Sequence, residues 1–145
     1  MDKEKEFQVC SSLDSIGINM ITFSQYGLII ILSFFLVLHV CILTKMIPYK
    51  NVWGGRLNSD KEMYQFEIVS ILINLFFLFI ILVQSEFLSI HFPKSMMTIL
   101  LWIMTVLFLF NTYGNIISKS KIELWVFTPI TIILAVFSLI LALTI

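Results

Sequence analysis

The sequence predicts an all-α fold, a polytopic membrane protein built as an antiparallel bundle of four transmembrane helices. Three observations predict it. Of the 145 residues, 59% are hydrophobic and 12% are charged, where a soluble domain carries about 25% charged residues. The mean hydropathy is +1.02. Stretches 15–44, 68–85, 95–118 and 124–145 contain no Asp, Glu, Lys or Arg. A spanning helix needs about 20 apolar residues, rising 1.5 Å each, to cross roughly 30 Å of hydrocarbon. A soluble fold would have to bury helices that are apolar all round, with almost no polar face to cover them. The formal net charge is zero, so no bulk field points to nucleic acid or to an acidic substrate.

Residues 1–20 are polar and then mildly apolar, which suits a disordered or interfacial segment. Asp2, Lys3, Glu4, Lys5 and Glu6 mix both signs, whereas a cleaved signal peptide opens on a positive region followed closely by an apolar one. The first span, about 24–43, is therefore expected to be retained. Lys45, Pro48, Lys50 and Gly54–Gly55 end it and open a cytoplasmic loop over 45–63. Ser59 followed by Glu62 forms a capping box that starts helix two near Asp60. That span covers 64–84. Pro93 stands at the start of helix three, a position that tolerates proline, and the third span covers 95–115. Lys119, Lys121 and Glu123 read as a hinge before a fourth span over 124–145, in which Pro129 takes a first-turn position or makes a kink. All 145 residues form one membrane domain.

Orientation follows from counting basic residues. Lys45, Lys50, Arg56, Lys61, Lys119 and Lys121 flank one side and Lys3, Lys5 and Lys94 the other. The positive-inside rule then places both basic loops in the cytoplasm and both termini outside a cell membrane. Cys10 and Cys41 fall near opposite faces, too far apart for a bridge that needs Cα atoms within about 7 Å.

Glu67 carries the strongest functional signal. The uncharged apolar run 68–83 makes only about 24 Å of helix, so the second span is long enough only if Glu67 enters the membrane. His39 lies at a matching depth in span one, Asn111 and Asn115 near the same end of helix three, and Thr128 one turn into helix four. Every span thus gives a polar group to one shallow layer. Glu67, Ser70 and Asn74 share a face by their three- and four-residue spacing, and lipid cannot satisfy that face. His39 is the expected partner of Glu67, with Arg56 or Lys61 as snorkelling competitors. Such a layer serves either as interhelical hydrogen-bond glue, worth about 0.6–2 kcal/mol per bond, or as a binding or proton-linked site. One His and one Glu fall short of a metal ligand set, and no cofactor is implied. A second candidate is Trp53-Gly54-Gly55-Arg56. Its glycines allow backbone N–H groups to converge on an anion, and Arg56 could grip a lipid phosphate. The ordinary reading of that turn is an interfacial Trp, a glycine turn and a positive-inside arginine. Thr98, Thr105 and Thr112 recur every seven residues and suggest a packing seam. Tyr49, Trp53, Tyr64, Tyr113 and Trp125 suggest an aromatic belt on the cytoplasmic side.

Asn111-Thr-Tyr-Gly-Asn115, Ser118-Lys-Ser-Lys-Ile-Glu123 and Phe127-Thr-Pro-Ile-Thr131 resemble segments of small bacterial four-span membrane proteins of unknown function. The resemblance covers Trp53 to the end of the chain and implies no activity. Small multidrug exporters share the span count but are shorter and carry a glutamate in the middle of their first helix, where this chain has none. The sterol-isomerase-like four-span fold uses buried acids, and Glu67 alone matches that pattern. The sequence therefore points first to a lipid- or amphiphile-binding or accessory protein, with membrane lipid as partner and a homodimer or a partner membrane protein as further options. The candidate binding residues are Glu67, His39, Asn111, Asn115, Asn74, Arg56 and Trp53. The alternative is a proton-coupled small transporter using Glu67. An enzyme ranks last, because no nucleophile has an activating partner.

Overall fold

The computed structural model describes residues 3–48, 57 and 59–145, with the backbone alone for 3–7 and 9–14. Among the described residues, four helices are long and apolar enough to cross a membrane. Helix α1 runs Lys3–Leu43, α2 Asp60–Gln84, α3 Lys94–Ile116 and α4 Thr128–Thr144, with a π-helical turn over Glu123–Phe127 ahead of α4. No strand occurs among the described residues. The helix ends fall within a few residues of the expected span ends, except at the start of the chain. The segment expected to be disordered or interfacial is helical from Lys3 and continuous with span one. Nothing in 3–20 breaks a helix except Gly17, so the turns needed by the span extend upstream without interruption. Cys10 and Cys41 therefore lie about 46 Å apart along one helix.

Local chemistry sets the helix ends. Ser59 is extended (φ −144°, ψ 155°) and its hydroxyl accepts from the Glu62 backbone N–H. The carbonyl of Pro93 accepts from Met97 N–H as α3 begins. Helix α1 closes with paired reversed hydrogen bonds, Met46 N–H to Cys41 C=O and Lys45 N–H to Ile42 C=O. Lys45 takes the left-handed conformation at φ 60° that this closure requires. Pro129 has no N–H to offer the Trp125 carbonyl and would press on it in a regular helix. The wider turn before it avoids that conflict, and Thr128 uses both its backbone N–H and its hydroxyl on the Glu123 carbonyl.

One stripe of each helix is buried. It comprises Ser24, Leu28, Leu32 and Ile42 on α1, and Met63, Glu67, Asn74, Phe77 and Ile81 on α2. On α3 it holds Leu101, Met104, Thr105, Phe108 and Thr112, and on α4 Thr131, Leu134, Ala135, Ser138 and Leu141. The outward faces stay apolar, with Phe23, Ile30, Val69, Leu72, Ile99 and Phe110 exposed, as contact with lipid tails requires. Helix α3 packs chiefly on α4, α1 on α2 and also on α4, while α2 and α3 meet little. The α3–α4 contact is a polar seam. Thr105 donates to Ser138 (3.0 Å) and Thr112 to Thr131 (2.9 Å). Of the threonine heptad, Thr98 stays outside the seam and bonds only its own helix at Lys94. Tyr64, Tyr113 and Trp125 are exposed at one end, as an interfacial belt requires; Tyr49 and Trp53 lie outside the described residues.

The α1–α4 contact is close at Gly27, where the Phe137 ring fills the space a methyl would take. Phe23 meets the same ring edge-on at 5.5 Å. Gly27→Ala should force that ring aside and destabilise the bundle by about 1–3 kcal/mol, read as a lower thermal midpoint in detergent. Gly17→Ala, where a methyl meets nothing within 4 Å, should leave the midpoint unchanged or raise it.

Candidate functional site

Antiparallel α1 and α2 bring His39 beside Glu67. The imidazole Nδ1 lies 2.7 Å from Glu67 Oε2. Glu67 is 0% exposed and the His39 side chain 18%. With Glu67 ionised, Nδ1 must donate, because a carboxylate only accepts. The imidazole is then either the cation or the neutral tautomer with its hydrogen on Nδ1, and in the neutral form Nε2 becomes an acceptor. Phe35 lies 6.5 Å from the imidazole and packs edge-on against Phe127, so apolar rings shield the pair from one side. Lys61, weighed as a partner of Glu67, is exposed. Arg56, together with the rest of the Trp53–Arg56 turn, lies outside the described residues.

Next to the pair is a cavity of about 430 Å³, within the range of small-molecule sites. Its polar lining is His39, Ser70, Asn74, Asn111, Asn115 and Glu123, joined by the Thr131 hydroxyl. Leu32, Phe35, Phe77, Phe108 and Leu134 supply apolar surface. Glu67 does not line the cavity; it reaches it through His39. The cavity exists because α2 and α3 part. Phe77 of α2 meets Phe108 of α3 at 5.4 Å, and Phe79 meets Phe92 of the connection at 6.3 Å. From Phe77 toward the end where α2 begins, the two helices separate. There Ile73, Phe110 and Asn111 line the cavity and are exposed, so the space reaches the outer surface of the bundle between α2 and α3.

Five sequence candidates thus come together: Glu67 and His39 directly, Asn74, Asn111 and Asn115 through the cavity. Thr128 does not join them; its hydroxyl is spent on the Glu123 carbonyl. Its place is taken by Thr131, which accepts from Thr112 and, at 3.4 Å, from the Asn115 amide. The sequence also missed Glu123, taken as part of a hinge. It is 6% exposed and lines the cavity. Glu67 was found because its span was too short without it. The fourth span is long enough alone, so no length argument pulls Glu123 inward.

Asn74 is held by a bond from its amide to the Leu32 carbonyl at 3.2 Å. Its Oδ1 is the one buried side-chain polar atom, among the described residues, without a partner. An unsatisfied buried acceptor costs about 1–3 kcal/mol. No lysine or arginine is among the described lining residues, and no three described His, Cys, Asp or Glu side chains group closely enough to hold a metal ion.

The Lys45 ammonium sits at the mouth of the α1–α2 hairpin, 2.7 Å from Asp60 Oδ2 and 5.6 Å from the centre of the Tyr64 ring. The hydrogen bond that the ammonium donates to Asp60 is the main cause that raises the Lys45 pKa above its ordinary value. A raised lysine pKa contributes stability that is complete below the unfolded value, near 10.4, and is lost as pH rises past the folded one. The pair is exposed to solvent and therefore weak.

The Glu67–His39 pair should behave as one coupled, hydrogen-bonded unit. His39→Leu leaves the carboxyl without its imidazole and should cost about 3–5 kcal/mol, whereas the double variant His39→Leu/Glu67→Leu should recover most of that loss. Thermal unfolding of the two single variants and the double variant in detergent checks this, and additive losses would contradict it. Comparison with protein-family models, with curated proteins and with solved structures gives no match.

Proposed function

We propose that this multi-pass membrane protein binds a lipid or another amphiphile in the cavity between α2 and α3. The carrying observation is the form of that cavity: His39, Ser70, Asn111 and Glu123 set polar groups among apolar Leu38, Ile42 and Phe127 near the start of α2, the wall at Phe77, Phe108 and Leu134 is apolar, and the space reaches the outer surface of the bundle. A molecule with a polar head and an alkyl tail has that same division, and it can arrive sideways from the bilayer without crossing an aqueous phase. The basic residues that flank this end support placing the head in the cytoplasmic leaflet with both termini outside.

Gly114 offers a direct test. It lines the cavity, and a Cβ there meets no described atom within 4 Å, so Gly114→Leu fills the space without a clash against the described residues at its root. Replacing glycine inside a helix should also stabilise it by up to about 1 kcal/mol. The purified protein would be exposed in detergent to an equimolar mixture of ethanolamine-, choline- and glycerol-headed phospholipids, and bound lipid counted by native mass spectrometry. Wild type should retain lipid and Gly114→Leu should lose at least about tenfold of it, with an unchanged or higher thermal midpoint. Equal retention by both proteins would overturn the proposal.

A second reading, proton-coupled transport through Glu67, draws on the imidazole that stands between this carboxyl and the cavity. Its weakness is depth, since transporter sites cluster near the bilayer midplane and Glu67 is only the eighth residue of α2. Transport requires that Glu67→Gln abolish pH-driven flux into vesicles; unchanged flux would remove this reading.

A further inference from the structure

We infer that the bound amphiphile is hydroxylated along its chain. Its head occupies the shallow end of the cavity, and a neutral hydroxyl about 10 Å further in donates to Asn74 Oδ1 at the middle of the bilayer. This rests on the binding reading above and specifies which class of lipid the cavity selects.

Two observations lead there. The first is the orphan oxygen of Asn74. The residue is 6% exposed and lines the cavity. Its amide donates to the Leu32 carbonyl, which fixes the amide's orientation because a carbonyl only accepts. Oδ1 is buried and has no partner among the described residues. An amide oxygen is itself an acceptor only, so the group that completes it must be a donor. The second observation is depth. Asn74 lies seven residues beyond Glu67 on α2, and Leu32 seven residues before His39 on α1. The antiparallel register that joins His39 to Glu67 thus also joins Leu32 to Asn74, about 10 Å deeper. Asn74 is the central residue of the 64–84 span, about 15 Å from either boundary.

The head of a lipid stays near the interface, and a charge at the bilayer centre is costly. Leu32, Phe77 and Phe108 share the cavity wall with Asn74. A neutral donor carried within the apolar part of the ligand meets both conditions. Ser70 narrows the choice. It lies one turn nearer the interface on the same face and lines the same cavity, and the Cβ atoms of such a pair are about 5–6 Å apart. A hydroxyl between the two can donate to Asn74 Oδ1 and accept from the Ser70 hydroxyl, whereas an amide N–H can only donate. The wall at Phe77, Phe108 and Leu134 is apolar and suits the chain that continues past the hydroxyl. An unsubstituted acyl chain leaves Oδ1 unsatisfied in hydrocarbon, so the cavity discriminates against it.

Two monoacylglycerols with the same glycerol head test this, 1-octadecanoylglycerol and its 12-hydroxyoctadecanoyl counterpart. The purified protein would be given an equimolar mixture in detergent, and each bound lipid counted by native mass spectrometry. Wild type should hold the hydroxylated lipid over the plain one by about tenfold, the size of one hydrogen bond to an otherwise unsatisfied acceptor. Asn74→Leu, which removes the orphan oxygen, should erase that preference. Ser70→Ala should reduce it at an unchanged thermal midpoint, and this variant decides the matter if Asn74→Leu fails to fold. A preference that survives in the variants that fold would show that a water, not the chain hydroxyl, completes Oδ1, and would overturn the inference. Equal retention of the two lipids, both lost in Gly114→Leu, would overturn this inference and leave the binding reading intact. Retention of neither, beside phospholipid that Gly114→Leu loses, would do the same. Lipid binding that Gly114→Leu does not change would overturn both.

Discussion

Hydrocarbon offers no hydrogen bonds, so a carboxyl group placed inside a membrane must be satisfied by the protein that carries it. Glu67 meets that demand through His39, and much of the surrounding geometry follows. To reach each other, α1 and α2 must pack as neighbours with the stripes of His39 and Glu67 facing inward. The same inward turn of α2 points Asn74 at the α1 backbone, where its amide bonds Leu32. The other hairpin solves its own problem with hydroxyls, Thr105 to Ser138 and Thr112 to Thr131. Each of these hydroxyls also bonds a carbonyl of its own helix, so the seam leaves none of them facing lipid.

The division of labour between the hairpins explains why a cavity exists at all. The α1–α2 pair and the α3–α4 pair each carry their own interhelical hydrogen bonds, and they join through α1 and α4. Among the described contacts, α2 meets α3 and the connection before it through two aromatic pairs, Phe77 with Phe108 and Phe79 with Phe92. Where those rings end, the helices diverge, and polar groups from four different helical segments line a common space. A fully packed bundle would have needed another pair of bulky side chains there; the chain places Ser70 and Gly114 instead.

Much of this was legible in the residues, and the reasons are physical. Span number and limits follow from length and charge, because hydrocarbon thickness is a fixed ruler. Ser59 before Glu62 marks the start of α2 because the capping geometry is local. Glu67 with His39 follows because one span was short and the antiparallel neighbour carried the complementary group at the same depth. What could not be read depends on rotation about helix axes. Thr128 and Thr131 sit at similar depth, and only the face each presents decides that Thr131 meets Asn115 while Thr128 folds back on its own backbone. Glu123 is the sharper case. Depth alone leaves it at the boundary, and its inward direction is set by the wide turn that Pro129 imposes.

That wide turn has a consequence for how the fourth helix is made. A π turn accommodates one more residue than an α turn, and one residue corresponds to about 100° of rotation. The side chains before Glu123–Phe127 are thus out of phase with those after it. The stripe of α4 that locks onto α3, from Thr131 to Leu141, and the direction taken by Glu123 are independent settings of one continuous rod. Packing of the bundle can be conserved while the wall of the cavity is re-aimed, by gain or loss of a single residue in that turn.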